Sequence, residues 1–276
     1  MPFTLSHPSA ALPFWPLVRR GYLPLAPFAI GAMAPDFEYL VRLEPYALLS
    51  HTARGILIFC LPAGLAAYVL WVMLLQPVSR ALVALPPLPP RLAASLGSWT
   101  LVIFAIVLGS TTHVAWDALT HRDAWGPVLF PALKHSAFVV GGNRVPWYNV
   151  LQLASSLLGG VIVVWWLRAE LTRHGRSLHD LVAPARRRAW LALIAVSLAV
   201  ATWNAPRHGL MTHINQTKLI LGRFAVGALV GLAIGVVALA ILQRMGRFRI
   251  AEVRVASPRD ALTGVPPIER AGGFDD

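Results

Sequence analysis

Five stretches of this chain carry no Asp, Glu, Lys or Arg: residues 55–79, 92–116, 145–167, 189–206 and 224–243, each 18 to 25 residues long. A bilayer core of about 30 Å is crossed by about 20 apolar residues in an α-helix. In lipid the backbone must satisfy its own polar groups, which only helices and closed barrels achieve. The runs are continuous rather than alternating, so they predict an all-α, polytopic membrane helix bundle of about five transmembrane helices. Composition agrees, with 57% hydrophobic and 13% charged residues against roughly 25% charged in soluble domains. A soluble α/β enzyme is excluded.

The runs divide the chain into a membrane-associated cap (1–54), a transmembrane bundle (55–243) and a basic, mostly disordered tail (244–276). The cap is interrupted by prolines, including Pro24, Pro27 and Pro35, which favour short helices and turns. Its apolar stretch 21–35 would span only about 22 Å as a perfect helix, so it is expected to be re-entrant or interfacial rather than a sixth span. Arg19-Arg20 followed by Ala32-Met33-Ala34 imitates a twin-arginine leader, but Pro24 and Pro27 break its apolar core and Pro35 would follow the cut. The chain is therefore expected to begin intact. Leu85 to Pro90 forms a stiff proline-rich connector. The single cysteine, Cys60, excludes an intrachain disulfide and a cysteine-rich metal site.

Lys and Arg outnumber Asp and Glu by 24 to 12, a balance that elsewhere suggests nucleic acid. Here the basic residues lie between apolar runs and in the tail, where they set topology and meet anionic lipids; no nucleic-acid partner is expected. On one side, 1–54, 121–149 and 204–218 carry four, three and two; on the other, 77–97, 168–188 and 244–276 carry two, six and six. The richer side stays cytoplasmic, which predicts an inner-membrane, multi-pass protein with a cytoplasmic C-terminus and an external cap. Tryptophans such as Trp147, Trp165 and Trp203 mark span ends. Gly227, Gly231 and Gly235, four residues apart, predict a tight helix seam within the bundle or between protomers, the former being favoured.

With that topology, His7, His51, His113, His121, His135, His208 and His213 share one membrane face with Asp36, Glu38, Glu44, Asp117 and Asp123. Imidazoles and carboxylates together are what zinc, manganese or iron prefer. The strongest local signal is His113-Val-Ala-Trp-Asp117-Ala-Leu-Thr-His121 at the outer end of the second span. Positions i, i+4 and i+8 project from one stripe of a helix, so these three side chains face the same way. The alternative is that Asp117 only pairs with Arg122 or hydrogen-bonds His113.

Four segments, Met1-Pro-Phe-Thr-Leu-Ser-His7-Pro, Ile30 to Tyr39, Ser50-His51-Thr52 and His113 to Thr120, together resemble domain-of-unknown-function family 4184, a bacterial membrane family. Their order is similar, more distantly, to the membrane-bound metal-dependent hydrolases. The resemblance covers most of residues 1–125. It implies that His7, Asp36, His51, His113 and Asp117 are metal ligands. The sequence departs from the hydrolase pattern at two positions, where Glu38 replaces an Asp and Tyr39 a His.

These expectations make the chain a membrane-bound metal-dependent hydrolase with a divalent cofactor, zinc or manganese, acting on a phosphoester of a lipid or envelope precursor. A bound ion would acidify water and polarise the oxygen under attack. Glu38 or His121 would serve as general base, and Arg54 or Arg122 would hold an anionic headgroup. Two other classes stay open. A structural or assembly protein would use the cluster to pin the cap to the bundle, and a transporter would place its ionisable groups near mid-bilayer.

Overall fold

A computed structural model describes residues 4–85, 96–121, 125–206, 216–248 and 250. The connector at 86–90, Arg122, Asp123, His208, His213 and residues 251–276 lie outside the described residues. The molecule is a helix bundle. The cap opens with a 3₁₀ segment, Thr4–Phe14, and a short helix, Trp15–Arg19. Helix α1 (Leu25–Met33) follows, starting after the extended Pro24. Nine residues of helix rise about 14 Å, too little to cross a bilayer, and α1 packs against the bundle. A 3₁₀ turn, Ala34–Asp36, and the helix Phe37–Arg42 complete it, ending in Leu43 with a left-handed φ of 57°.

Helix α2 runs from Ala53 to Leu82 and α3 from Leu96 to Thr120. In α2, π turns at Ile56–Cys60 and Trp71–Leu75 lie just before Pro62 and Pro77. A proline ring has no N–H and collides with the carbonyl four residues back; the wider turn absorbs both defects. Helices α4 (Trp147–Arg173), α5 (Pro184–Asn204) and α6 (Gln216–Arg244) complete the bundle. Between α3 and α4 the chain forms a small antiparallel hairpin, β1 (Ser136–Val140) and β2 (Asn143–Pro146). The hairpin is not anticipated by the sequence over 121–149, which reads only as a segment between spans. Its physical basis is a β-branched and aromatic run followed by Gly141-Gly142, both with positive φ, the backbone that a two-residue hairpin turn requires.

Among the described residues, four helices are long and apolar enough to cross a membrane: Ala53–Leu82, Ser98–Thr120, Trp147–Arg173 and Leu219–Arg244. The fifth expected run is α5, whose 21 residues reach about 31 Å but whose first turns hold Arg186, Arg187 and Arg188. Packing falls into two units. Ala11, Leu23, Phe28, Ala32 and Ala105 bind the cap to α3. Val78, Ala81, Leu82, Ala189, Leu193 and Leu239 join the end of α2 to α5 and α6, and Ile250 folds back into this second core. Arg186 donates to the carbonyls of Ala81 and Asp180 at 2.8 and 3.2 Å. The glycine seam lies within the chain: Gly227 and Gly231 face the backbone of Ala201 and Ser197 on α5. The two units meet where Arg223 of α6 pairs with both carboxylate oxygens of Glu44, at 3.0 and 3.1 Å.

Candidate metal centre

Small residues create the site by letting two helices touch. A side chain at Gly31 would strike the backbone of Ile106, and one at Gly109 would strike Phe28 and Ala32. With neither present, α1 lies on α3 and Ser110 donates to the Gly31 carbonyl at 3.0 Å. The contact also sets the Ala32 carbonyl 2.7 Å from His113 Nδ1. A carbonyl oxygen only accepts, so Nδ1 carries a proton and Nε2 is the ring nitrogen turned toward the cluster. Pro35 ends α1, and the turn Ala34–Asp36 delivers Asp36 to the same place.

His51 arrives from the next loop. Thr52 caps the start of α2 by accepting from the Gly55 amide at 2.9 Å, which holds His51 just outside the helix. Its Nδ1 lies 2.9 Å from Ser50 Oγ, so Nε2 is the ring nitrogen that points into the cluster. The Glu38 carboxylate organises this loop, accepting from the amides of Leu48, Leu49 and Ser50 at 2.7, 3.1 and 2.7 Å. Burial works against the ionised form, but the Ser50, Leu48 and Leu49 amides prevail and hold Glu38 down at about 2.

Four donor atoms converge. His51 Nε2 lies 3.6 Å from Asp36 Oδ1 and 3.4 Å from Asp117 Oδ2; His113 Nε2 lies at the same two distances from the same two oxygens. These separations are long for hydrogen bonds. Each is close to the spacing of two ligands that share one zinc ion, about 3.3–3.6 Å for bonds of 2.0–2.2 Å. Both oxygens of Asp36, both of Asp117 and His113 Nε2 are buried without a hydrogen-bond partner. Buried polar atoms are nearly always paired, and two unpaired carboxylates in one apolar bundle call for a cation. Among the described residues, Asp36 with His51 and His113, and His7 with His113 and Asp117, form groups that could hold a metal ion.

His7 reaches the cluster in a different posture. Its ring lies flat on His113, with centroids 3.7 Å apart and 16° between planes. The stacking sets His7 beside His113, in the group with Asp117 that could hold a metal ion. His7 Nε2 is buried and unpartnered, and burial, reinforced by His113, lowers the His7 pKa to about 4. His51 behaves oppositely: burial would lower it, but Asp117 and Asp36 outweigh burial and raise it to about 9.

The remaining expected residues fall outside the four-donor set. His121 is at the rim, its Nδ1 donating to the Asp117 carbonyl at 2.9 Å and its Nε2 3.4 Å from Gln152 Nε2. Arg54 is exposed at the start of α2, and Arg122 lies outside the described residues. Glu38, with both oxygens engaged by amides, supports the loop instead of facing the cluster. Three contributors were not singled out in the sequence: the Ala32 carbonyl, Ser50 and Gln152. Tyr39 was noted only as a replacement, yet its hydroxyl is 3.3 Å from His51 Nε2. A polar Gln inside an otherwise apolar span was the one available signal, because a main-chain carbonyl leaves none.

The family described as a domain of unknown function, DUF4184, matches residues 1–241; the chain belongs to this family. No curated protein and no solved structure matches the chain.

Proposed function

We propose that this family member is a membrane-embedded metal-dependent hydrolase whose ion is held by Asp36, His51, His113 and Asp117. The observation that carries the reading is the set of buried Asp36, Asp117 and His113 atoms without hydrogen-bond partners, with the Nε2 atoms of His51 and His113 each 3.4–3.6 Å from an Asp36 and an Asp117 oxygen. Imidazole and carboxylate donors suit zinc or manganese. When bound, the ion supplies Lewis-acid polarisation and acidifies water.

The chain's own groups supply the rest. His121 donates through Nδ1 to a carbonyl, so its Nε2 lone pair faces the Gln152 amide at a long 3.4 Å; a water that displaced this weak contact would meet a group suited to accept its proton. Glu38 is spoken for by three amides, so the base role passes to His121 and Glu38 positions His51 through the 48–50 loop. Arg54 and Arg122 flank the cluster in sequence and suit the anionic part of a phosphoester belonging to a lipid or envelope precursor. The basic-residue asymmetry supports a bacterial inner-membrane location with this site external and the C-terminus cytoplasmic.

A second reading has its own support. Four protein donors and nearly complete burial of Asp36 and His113 resemble a closed structural site more than an open catalytic one, so the ion would serve as a staple for the cap. Purified chain, metal analysis and hydrolysis of a phosphodiester chromogen distinguish the two. The hydrolase reading expects activity that a chelator removes and that His121→Ala removes with metal content intact. Stoichiometric metal with no hydrolysis of any phosphoester would leave the staple; absence of stoichiometric metal would end both.

A further inference from the structure

The segment between α3 and α4 has no role in the reading above, yet it exposes more apolar surface than a water-facing loop should. It begins with a short helix, Trp125–Leu129, whose Gly126 and Pro127 are buried; a Cβ on Gly126 would strike the end of α3 at Ala118 and Leu119. It ends where the Trp147 amide donates to the His135 carbonyl at 3.1 Å, closing the base of the hairpin. Between these anchors Val128, Leu129, Phe130, Phe138, Val139 and Val140 are each 50–63% exposed. Successive strand residues point to opposite faces, so exposure of Phe138, Val139 and Val140 leaves both faces of the hairpin without a protein core. Such a hairpin is marginal in water.

Position identifies what covers it. The segment joins one span's end to the next span's start at the same face, as the Trp116 to Ser155 hydrogen bond of 3.0 Å and the His121–Gln152 contact show. It therefore sits level with the headgroups and is continuous with the exposed apolar side of α4 at Leu153, Leu157 and Leu158. Residues 125–146 contain no Asp or Glu but include Lys134 and Arg144, a charge pattern suited to anionic phospholipid. We propose that residues 125–146 are a monotopic lipid-insertion element, with the hairpin tip in the boundary between headgroups and acyl chains on the site's side of the membrane. The element holds the rim at His121 within the headgroup layer. This inference rests on the membrane-spanning bundle and not on the ion, so its failure would leave the hydrolase reading untouched.

The test uses the full chain in vesicles of phosphatidylcholine and phosphatidylglycerol, with an environment-sensitive fluorophore on Val139→Cys. A reference label goes on Gly175→Cys, in the exposed turn after α4, and the unsubstituted chain reports any labelling of buried Cys60. The label at 139 should be quenched by nitroxides near the headgroup end of the acyl chains, and about fivefold less than the label at 175 by aqueous iodide. Equal iodide quenching at both positions overturns the proposal. Shielding from iodide and lipid nitroxide alike also overturns it, in favour of a covering protein. Val128→Cys repeats the measurement on the short helix should the hairpin variant fail to fold.

Discussion

Helices α1 and α3 meet through Gly31 and Gly109, and helices α5 and α6 through Gly227, Gly231 and Gly235, yet close approach achieves different ends in the two places. Between α5 and α6 it brings backbone onto backbone, joined by a hydrogen bond from Asn204 to the Arg223 carbonyl at 2.8 Å, as expected where lipid removes any hydrophobic drive between helices. Between α1 and α3 it brings a carbonyl onto His113 and sets two carboxylates and a second imidazole around it. The first contact is complete in itself. The second leaves buried atoms without hydrogen-bond partners, in groups that could hold a metal ion.

The largest separation of the two regions should come from removing the ion. A chelator, or Asp117→Asn, should lower thermal stability by about 4 kcal/mol relative to protein held at about 1,000 times the ion's Kd, with the cap becoming protease-sensitive while α5–α6 stays protected. Uniform loss of protection across the chain would erase the distinction. Next, Gly231→Val should cost about 1–3 kcal/mol by overpacking, because a Cβ there already meets Ser197 Cα at 2.6 Å; calorimetry in detergent should show it with metal content unchanged. Gly31→Ala should do the converse, weakening metal affinity about 10–100-fold through the displaced Ala32 carbonyl, as read by competition with a zinc dye.

The smallest effect concerns Glu38. Its folded pKa, about 2, lies below the ordinary 4.5, so the stability it contributes is present above about pH 4.5 and is lost as pH falls toward 2. In metal-free protein, Glu38→Gln should cost about 1 kcal/mol near neutrality and flatten the acid limb of the stability curve. An unchanged acid limb would remove Glu38 from the support of His51.

Much of this arrangement was legible in the sequence, and the limits have physical causes. Four of the five long uncharged runs coincide with helices apolar enough to span, because continuous apolar runs of that length suit lipid. His113 and Asp117 share a stripe by helical spacing, and their burial together follows. The meeting of Asp36 and His51 with that stripe rested on resemblance, since spacing along one chain does not report contacts across 81 residues such as that between Ala32 and His113. Glu38 was misread because a carboxylate near a metal motif looks the same whether its oxygens face an ion or three amides. The hairpin was overlooked because Phe138-Val-Val140 is too short to stand out beside spans of more than twenty residues.

The hydrogen bond from His113 to Ala32 has a mechanical consequence. Its acceptor belongs to the main chain, so no exchange of side chain at position 32 removes it, and only sliding α1 along α3 can. The orientation of one imidazole ring is thereby tied to where α1 sits along α3. A displacement of α1 that broke this contact would free the His113 ring to rotate away from Asp36 and Asp117 together, so a single main-chain atom links the seating of the cap to the geometry of the cluster.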